Sequence, residues 1–199
     1  MNNPTGVLYG RLPGFPLSEL GERMAEAAAA DLLARQVPVR AIFASPLERA
    51  QQSAAPIAAV FGVEVQTDER LIEPSNRFEG TVMREALRNP LYWRWLYNPS
   101  RPSWGESFRS ISARMYAAVQ DAFRSVPAGD VVLVGHQLPI WVTHLALSGL
   151  RFPHDPRQRR CALSSITTLV ARRDGRILEL DYREPAAELQ RAAIDVGAV

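Results

Sequence analysis

The 199-residue chain has one cysteine, Cys161, and three histidines, His136, His144 and His154. A lone thiol excludes an internal disulfide and fits a reducing compartment. The histidines share no ligand spacing and no second cysteine exists to complete a set, so no metal site is expected. Long apolar runs are missing as well. The best candidate, 140–150, is interrupted by Thr143 and His144 and is too short to span a bilayer. Met1 to Leu8 is polar and broken by Pro4, so no secretory leader is expected. Neither sign of charge dominates: 23 basic residues stand against 21 acidic ones, a net charge of +2. Such a balance exerts no general pull on nucleic acid or an anionic membrane. No G-x-G-x-x-G follows an apolar strand, which argues against a dinucleotide-binding domain. The expected location is the cytoplasm.

What is present describes a globular α/β protein. Apolar residues make up 47% of the chain and charged ones 22%. One domain over 1–199 is expected, with an N-terminal loop at 1–17 and a tail at 184–199. Gly6, Gly10, Pro13, Gly14 and Pro16 make that first stretch a loop. Ser18 reads as the cap of a helix running to about Gln36, with Met24, Ala28, Leu32 and Leu33 as its apolar stripe. A buried strand follows at 39–44. Ser45 then caps a second helix, with Pro46 in its first position and Ala50, Ala54, Ile57 and Val60 facing inward. A strand is predicted at 63–67, irregular chain at 69–80, and an aromatic-rich helical region, broken by Pro90, at 82–98. Residues 106–126 form an amphipathic helix with Ile111, Met115, Val119 and Phe123 on one face. The continuous apolar run 131–134 predicts a strand buried on both faces. Pro139 opens a helix ending near Gly149, and 151–160 is a basic loop. Two strands, 165–171 and 176–182, flank a turn at Asp174-Gly175. Alternating helices and strands predict a three-layer α/β/α sandwich around a mostly parallel sheet.

In such sheets ligands bind beyond the carboxyl ends of the strands. Ser45 to Arg49 lies at one such end. A helix N-terminus there offers N–H donors to an anion, and Arg49 adds a planar fork that grips phosphate oxygens. An ordinary helix cap with a surface arginine fits the segment equally well. His136 follows the strand 131–134 through Gly135, where glycine lets the backbone turn and brings the ring to the rim. A structural histidine bonded to a carbonyl is the alternative. Glu73, in Arg70-Leu71-Ile72-Glu73, is suited to general acid work if withdrawn from water, though a lone loop glutamate is ordinarily solvated. His144 reads as packing or surface, and His154 carries no clear role. Trp93, Trp95, Trp104 and Trp141 wall a pocket or simply fill core. Arg157, Arg159 and Arg160 widen an anion site or form a solvated loop.

These pieces, in this order, resemble the histidine phosphatase superfamily, the phosphoglycerate-mutase-like enzymes. The resemblance covers nearly the whole chain. It runs through Tyr9-Gly10-Arg11-Leu12-Pro13-Gly14 and Ser45-Pro46-Leu47-x-Arg49-Ala50-x-x-Ser53-Ala54. It continues through Arg70-Leu71-x-Glu73, Phe78-Glu79-Gly80, Gly105-Glu106-Ser107, Arg114 and Val134-Gly135-His136-Gln137. It implies phosphoryl transfer in two steps through a phosphohistidine, without metal or cofactor, on a small phosphorylated substrate. By resemblance Arg49 holds the phosphoryl oxygens, His136 donates to them, and Glu73 protonates the leaving oxygen. Asn3, Tyr9 and Gly10 match a loop bordering the phosphate. The long insertions of the glycolytic mutases are absent, which favours a phosphatase over a mutase.

One departure is severe. The family's nucleophile lies in an Arg-His-Gly motif on the first, central strand, and this sequence contains neither. Each buried backbone group left unpaired costs about 1–3 kcal/mol, against a net stability of roughly 5–15 kcal/mol. The expectation is that Met1 is a misplaced start, at a position where the family carries valine, and that the chain by itself is inactive. The alternative is a catalytically dead protein that binds a phospholigand or a partner. Oligomeric state is not legible. The phosphoryl-transfer reading requires Arg49, Glu73 and His136 to converge.

Overall fold

The computed structural model describes Asn3, residues 6–93 and residues 104–191. Helix α1 spans Glu19–Ala34 and starts at Ser18, whose Oγ accepts the Gly21 N–H at 3.2 Å. Strand β1 is Val39–Ala44, and helix α2 is Glu48–Phe61. Gly62, at φ 65°, terminates α2 in the left-handed conformation that favours glycine. Strand β2, Val65–Thr67, is followed by a single 3₁₀ turn, Glu69–Leu71, capped by Asp68. Two short helices, α3 (Met83–Ala86) and α4 (Pro90–Trp93), fall within the helical region expected over 82–98, with a break ahead of Pro90. Part of that region, Trp95 included, lies outside the described residues. Helix α5 is Phe108–Ser125, β3 is Asp130–Val134 and α6 is Gln137–Leu147. Strands β4 (Ile166–Ala171) and β5 (Ile177–Arg183) form a hairpin, and α7 is the short turn Ala187–Gln190.

Strands β2, β1 and β3 make a parallel sheet in that order, with Ile42 opposite both Val65 and Val132. Successive side chains alternate across it. Ile42 and Ala44 pack with Ala29, Leu32, Ala54 and Ile57 under α1 and α2, joined by Val132 and Val134. Phe43 and Leu133 turn the other way, onto Ile111, Met115, Leu138 and Val142 of α5 and α6. The sheet is thus sandwiched between two helical layers. The hairpin β4–β5 is a separate antiparallel ladder, though Ile166 packs on the first of these cores.

Several expectations need correction. Ser45 does not cap α2: Leu47 occupies that position without a side-chain bond, and Pro46 lies outside the helix. Strand β3 is half-buried rather than buried on both faces, because among the described residues it pairs with β1 alone. The last member of each helical stripe is exposed: Leu33 by 53%, Val60 by 42% and Phe123 by 40%. For α5 the reason is geometric. A residue repeating every four positions drifts about 40° per step from a 3.6-residue turn, so Phe123, three steps beyond Ile111, leaves the buried face. Ala122 takes its place.

The two classes of apolar residue should separate in a denaturation experiment. Ile42→Ala removes a fully buried side chain and is expected to cost roughly 2–5 kcal/mol in urea unfolding. Phe123→Ala is expected to cost less than about 1 kcal/mol.

Candidate active site

The parallel sheet delivers three polar residues to one edge. Ser45 follows β1, His136 follows β3, and the 3₁₀ turn after β2 leads directly to Glu73. Backbone bonds stitch these ends together: Ser45 N–H donates to Val134 O at 2.9 Å, and Asp68 N–H donates to Ala44 O at 2.9 Å. Gly135 does not have a positive φ. Its role is close approach, since a β-carbon there would sit 3.4 Å from Leu71 O of the Glu73 turn.

Glu73 has 0% exposure, and neither carboxyl oxygen has a hydrogen-bond partner. Its Oε2 lies 3.7 Å from His136 Nδ1. Burial pushes its pKa up to about 7, against the pull of Arg49, Arg159, Arg114 and Arg11. A carboxyl half-protonated at neutral pH is suited to giving and taking a proton. The expectation of an ordinary solvated loop glutamate fails because the turn is clamped inward. Arg11 Nε donates to Glu73 O at 2.5 Å, and Arg114 Nη1 donates to Arg70 O. Both arginines also meet Glu106, Arg114 at 3.0 Å and Arg11 at 3.5 Å.

His136 is buried, and its pKa is driven well down, by burial first and then by Arg49, Arg114 and Arg11. A neutral ring keeps one donor and one acceptor nitrogen. Nε2 lies 2.8 Å from Ser45 Oγ. That oxygen also accepts the Leu47 N–H at 3.4 Å, and its hydroxyl can donate to Nε2. On this network the ring hydrogen is assigned to Nδ1, on the Glu73 side. Ser45 is the site residue that sequence reasoning placed but misread: its hydroxyl serves the histidine instead of the helix.

Arg49 is buried in the first turn of α2. Its Nη2 donates to Gly10 O at 2.8 Å, and its guanidinium lies over the Tyr9 ring, 5.0 Å from the centroid. Burial lowers its pKa, while Tyr9, Glu73 and Glu79 raise it. Gly10 has φ 40°, which strains any residue with a side chain, and a β-carbon there would meet the Glu79 side chain at 2.3 Å, which would have to move. The structure therefore gathers Arg49, Glu73, His136, Tyr9 and Gly10. Asn3 donates to Val7 O at 2.9 Å, a contact within its own loop.

The remaining candidates have other work. His144 Nδ1 meets Glu179 Oε2 at 2.5 Å, and Arg160 pairs with the other oxygen, tying α6 to β5. Trp141 stacks on His144 at 4.7 Å, Trp104 packs against the Leu8–Phe78–Ala86 cluster, and Trp93 is exposed. Burial pushes the Cys161 thiol up to about 12, which removes it as a nucleophile.

The raised Glu73 pKa sets a pH dependence of stability. The folded chain holds the proton up to about 7, whereas the unfolded group loses it near 4.5. Stability from this group is complete below the unfolded value and lost as pH rises through the folded one. The depressed His136 pKa acts in the opposite sense and is common to both proteins compared. Glu73→Gln should therefore gain about 2–3 kcal/mol relative to the parent between pH 5 and pH 8. Urea unfolding at both pH values measures it; a pH-independent difference would contradict the buried-carboxyl account.

Comparison with known proteins supplies the family. The model of the histidine phosphatase superfamily (branch 1) matches residues 1–182. The uncharacterised protein Rv0525 of Mycobacterium tuberculosis is 50% identical over 190 residues, covering 94% of this chain and 93% of its own. Phosphoserine phosphatase 1 of Hydrogenobacter thermophilus is 29% identical over 153 residues, covering 74% of this chain and 71% of its own. The structure of mycobacterial glucosyl-3-phosphoglycerate phosphatase Rv2419c with VO3 matches with a TM-score of 0.69 at 28% identity, covering 89% of this chain and 88% of its own. With an α/β architecture in common and a match running through most of its length, the chain belongs to the histidine phosphatase superfamily.

Proposed function

We propose that this chain forms the phosphate-handling framework of a phosphomonoester hydrolase acting through a phosphohistidine. The observation that carries the reading is Glu73: wholly buried, without a hydrogen bond, and 3.7 Å from the His136 ring. Isolation of this kind holds a carboxyl ready as a proton donor near neutral pH. Arg49 and the His136 N–H would hold the phosphoryl oxygens, where charge builds during transfer. Glu73 would give its proton to the leaving oxygen in the first step and take one from the attacking water in the second. Tyr9 and Gly10 border this space through Arg49, and Asn3 belongs to the same loop. The substrate is a small phosphorylated molecule. Phosphoserine and glucosyl-3-phosphoglycerate, named in the relatives' activities, are the first to test.

The nucleophile is not among the chain's histidines, 136, 144 and 154, none of which stands in Arg-His-Gly. Among the described residues β3 pairs with β1 alone and Val131 to Val134 are half-buried, which leaves room beside β3 for a further strand bearing the nucleophile. A second reading is favoured by the same missing motif: a protein that keeps Arg49 and His136 to bind a phospholigand without turning it over. A cytoplasmic location agrees with one buried, unpaired thiol. No helix among the described residues is long and apolar enough to cross a membrane.

Two measurements decide between the readings. With p-nitrophenyl phosphate, the 199-residue chain should show no turnover, and the same chain extended upstream in frame should hydrolyse it and acquire acid-labile phosphohistidine. An extended protein that does neither would establish the binding-only reading. In the active form, Arg49→Ala should lower kcat by about 10²-fold or more. Unchanged turnover in that variant would remove Arg49 from the site.

A further inference from the structure

The stretch Trp104 to Glu106, just ahead of α5, lies along the chain that leaves Glu73. Arg77 N–H donates to Trp104 O at 2.6 Å, and Glu106 N–H donates to Ser75 O at 3.2 Å. Between these bonds Asn76 and Gly105 form a short antiparallel bridge. Gly105 does not have a positive φ, so backbone conformation does not demand glycine there. Space does: a β-carbon would run into the Ser75 carbonyl oxygen, a backbone atom that cannot swing aside. Trp104 anchors the strap from its other end by packing on the Leu8–Phe78–Ala86 cluster.

The side chain of Glu106 extends the strap to the near side of Glu73. Its Oε1 accepts from Ser110 Oγ at 2.8 Å and from Arg114 Nε at 3.0 Å. Its Oε2 accepts from Arg114 Nη2 at 3.1 Å and from Arg11 Nη2 at 3.5 Å. The same two guanidiniums hold the turn by its backbone, Arg11 on the Glu73 carbonyl and Arg114 on the Arg70 carbonyl. A planar fork fixed on one edge presents its remaining N–H groups in a fixed direction. Burial works to raise the Glu106 pKa, but hydrogen bonds from Arg114 and Ser110 outweigh it and hold this carboxyl low and ionised. Glu73 has no such bonds and stays dry. Environments that push two carboxyls apart in this way give them different work.

We propose that Glu106 is a positioning residue for Glu73. Through Arg11 and Arg114 it fixes the turn that leads into the acid, and through the Gly105–Asn76 bridge its strap fixes the chain that leaves it, so that the carboxyl is kept at the His136 ring. That the carboxyl so held serves as proton donor rests on the phosphomonoesterase reading.

The test is the titration midpoint of Glu73, followed by carbon-13 NMR of its carboxyl in the folded 199-residue chain, with Glu73→Gln assigning the signal. Two variants loosen the strap without changing charge. Arg114→Lys keeps the cation but loses the fork that spans Glu106 and the Arg70 carbonyl. Gly105→Ala lifts the strap off Ser75. The charged and titratable groups around Glu73, namely His136, Arg49, Arg11, Arg159, Cys161 and the cation at position 114, are retained in both. In each variant water should reach the carboxyl, and its midpoint should fall from about 7 toward 4.5, by roughly one pH unit or more. A loss of global stability alone does not move a midpoint measured in the folded state. The two variants act on separate contacts, so either one, folded, decides. Glu106→Gln should lower the midpoint as well. A fall confined to that variant would make Glu106 an electrostatic neighbour only and overturn the proposal, leaving the phosphomonoesterase reading intact. A midpoint unchanged in all three would do the same. A parent midpoint near 4.5 would overturn both, because the dry proton donor would not exist.

Discussion

A carboxyl group sealed from water without a hydrogen bond is the constraint around which this molecule is arranged. Burying an ionised carboxylate without a partner is costly, and the group responds by holding its proton. Glu73 does so up to a pH of about 7. The cost is limited by arginines from four separate parts of the chain, Arg11, Arg49, Arg114 and Arg159. Among the described residues, Arg11 and Arg114 pair with Glu106 and Arg49 donates to Gly10 O. Glu106 engages Arg11 and Arg114 and draws their charge aside. It keeps them as clamps on the backbone of the turn.

The sheet converts that local balance into a site. Parallel strands place all their carboxyl ends at one edge, so residues far apart in sequence meet there. Ser45, Glu73 and His136 each follow a different strand of the β2–β1–β3 ladder. The histidine bonds Ser45 on one side and faces Glu73 on the other. Arg49, in the first turn of α2, completes the group from the helix that β1 feeds.

Much of this was legible in the linear chain, for identifiable reasons. Element order follows hydrophobic period and punctuation: Ser18 begins α1, and Gly175 makes the β4–β5 turn at φ 80°. Arg49, Glu73 and His136 were candidates because they follow strands, but position alone left Arg49 open and Glu73 an ordinary loop residue; their roles came from the family resemblance. The errors came where a local rule met a stronger distant partner. Ser45 followed by proline has the form of a helix cap, yet its hydroxyl serves a histidine 91 residues away. The run Val131 to Val134 reads as a strand covered on both faces, yet its burial depends on how many neighbours it acquires. Phe123 matches a four-residue period that the helix itself does not keep.

The amino-acid sequence by itself determined which residues could do chemistry and the order of the elements that carry them, because hydrophobic period, caps and turn residues are local properties. Only the tertiary structure decided that Glu73 is dry, that Ser45 faces a histidine, and that Glu106 holds two arginines away from the buried acid. Burial and electrostatic balance are sums over neighbours that the chain brings together from remote positions. No single stretch of sequence contains them.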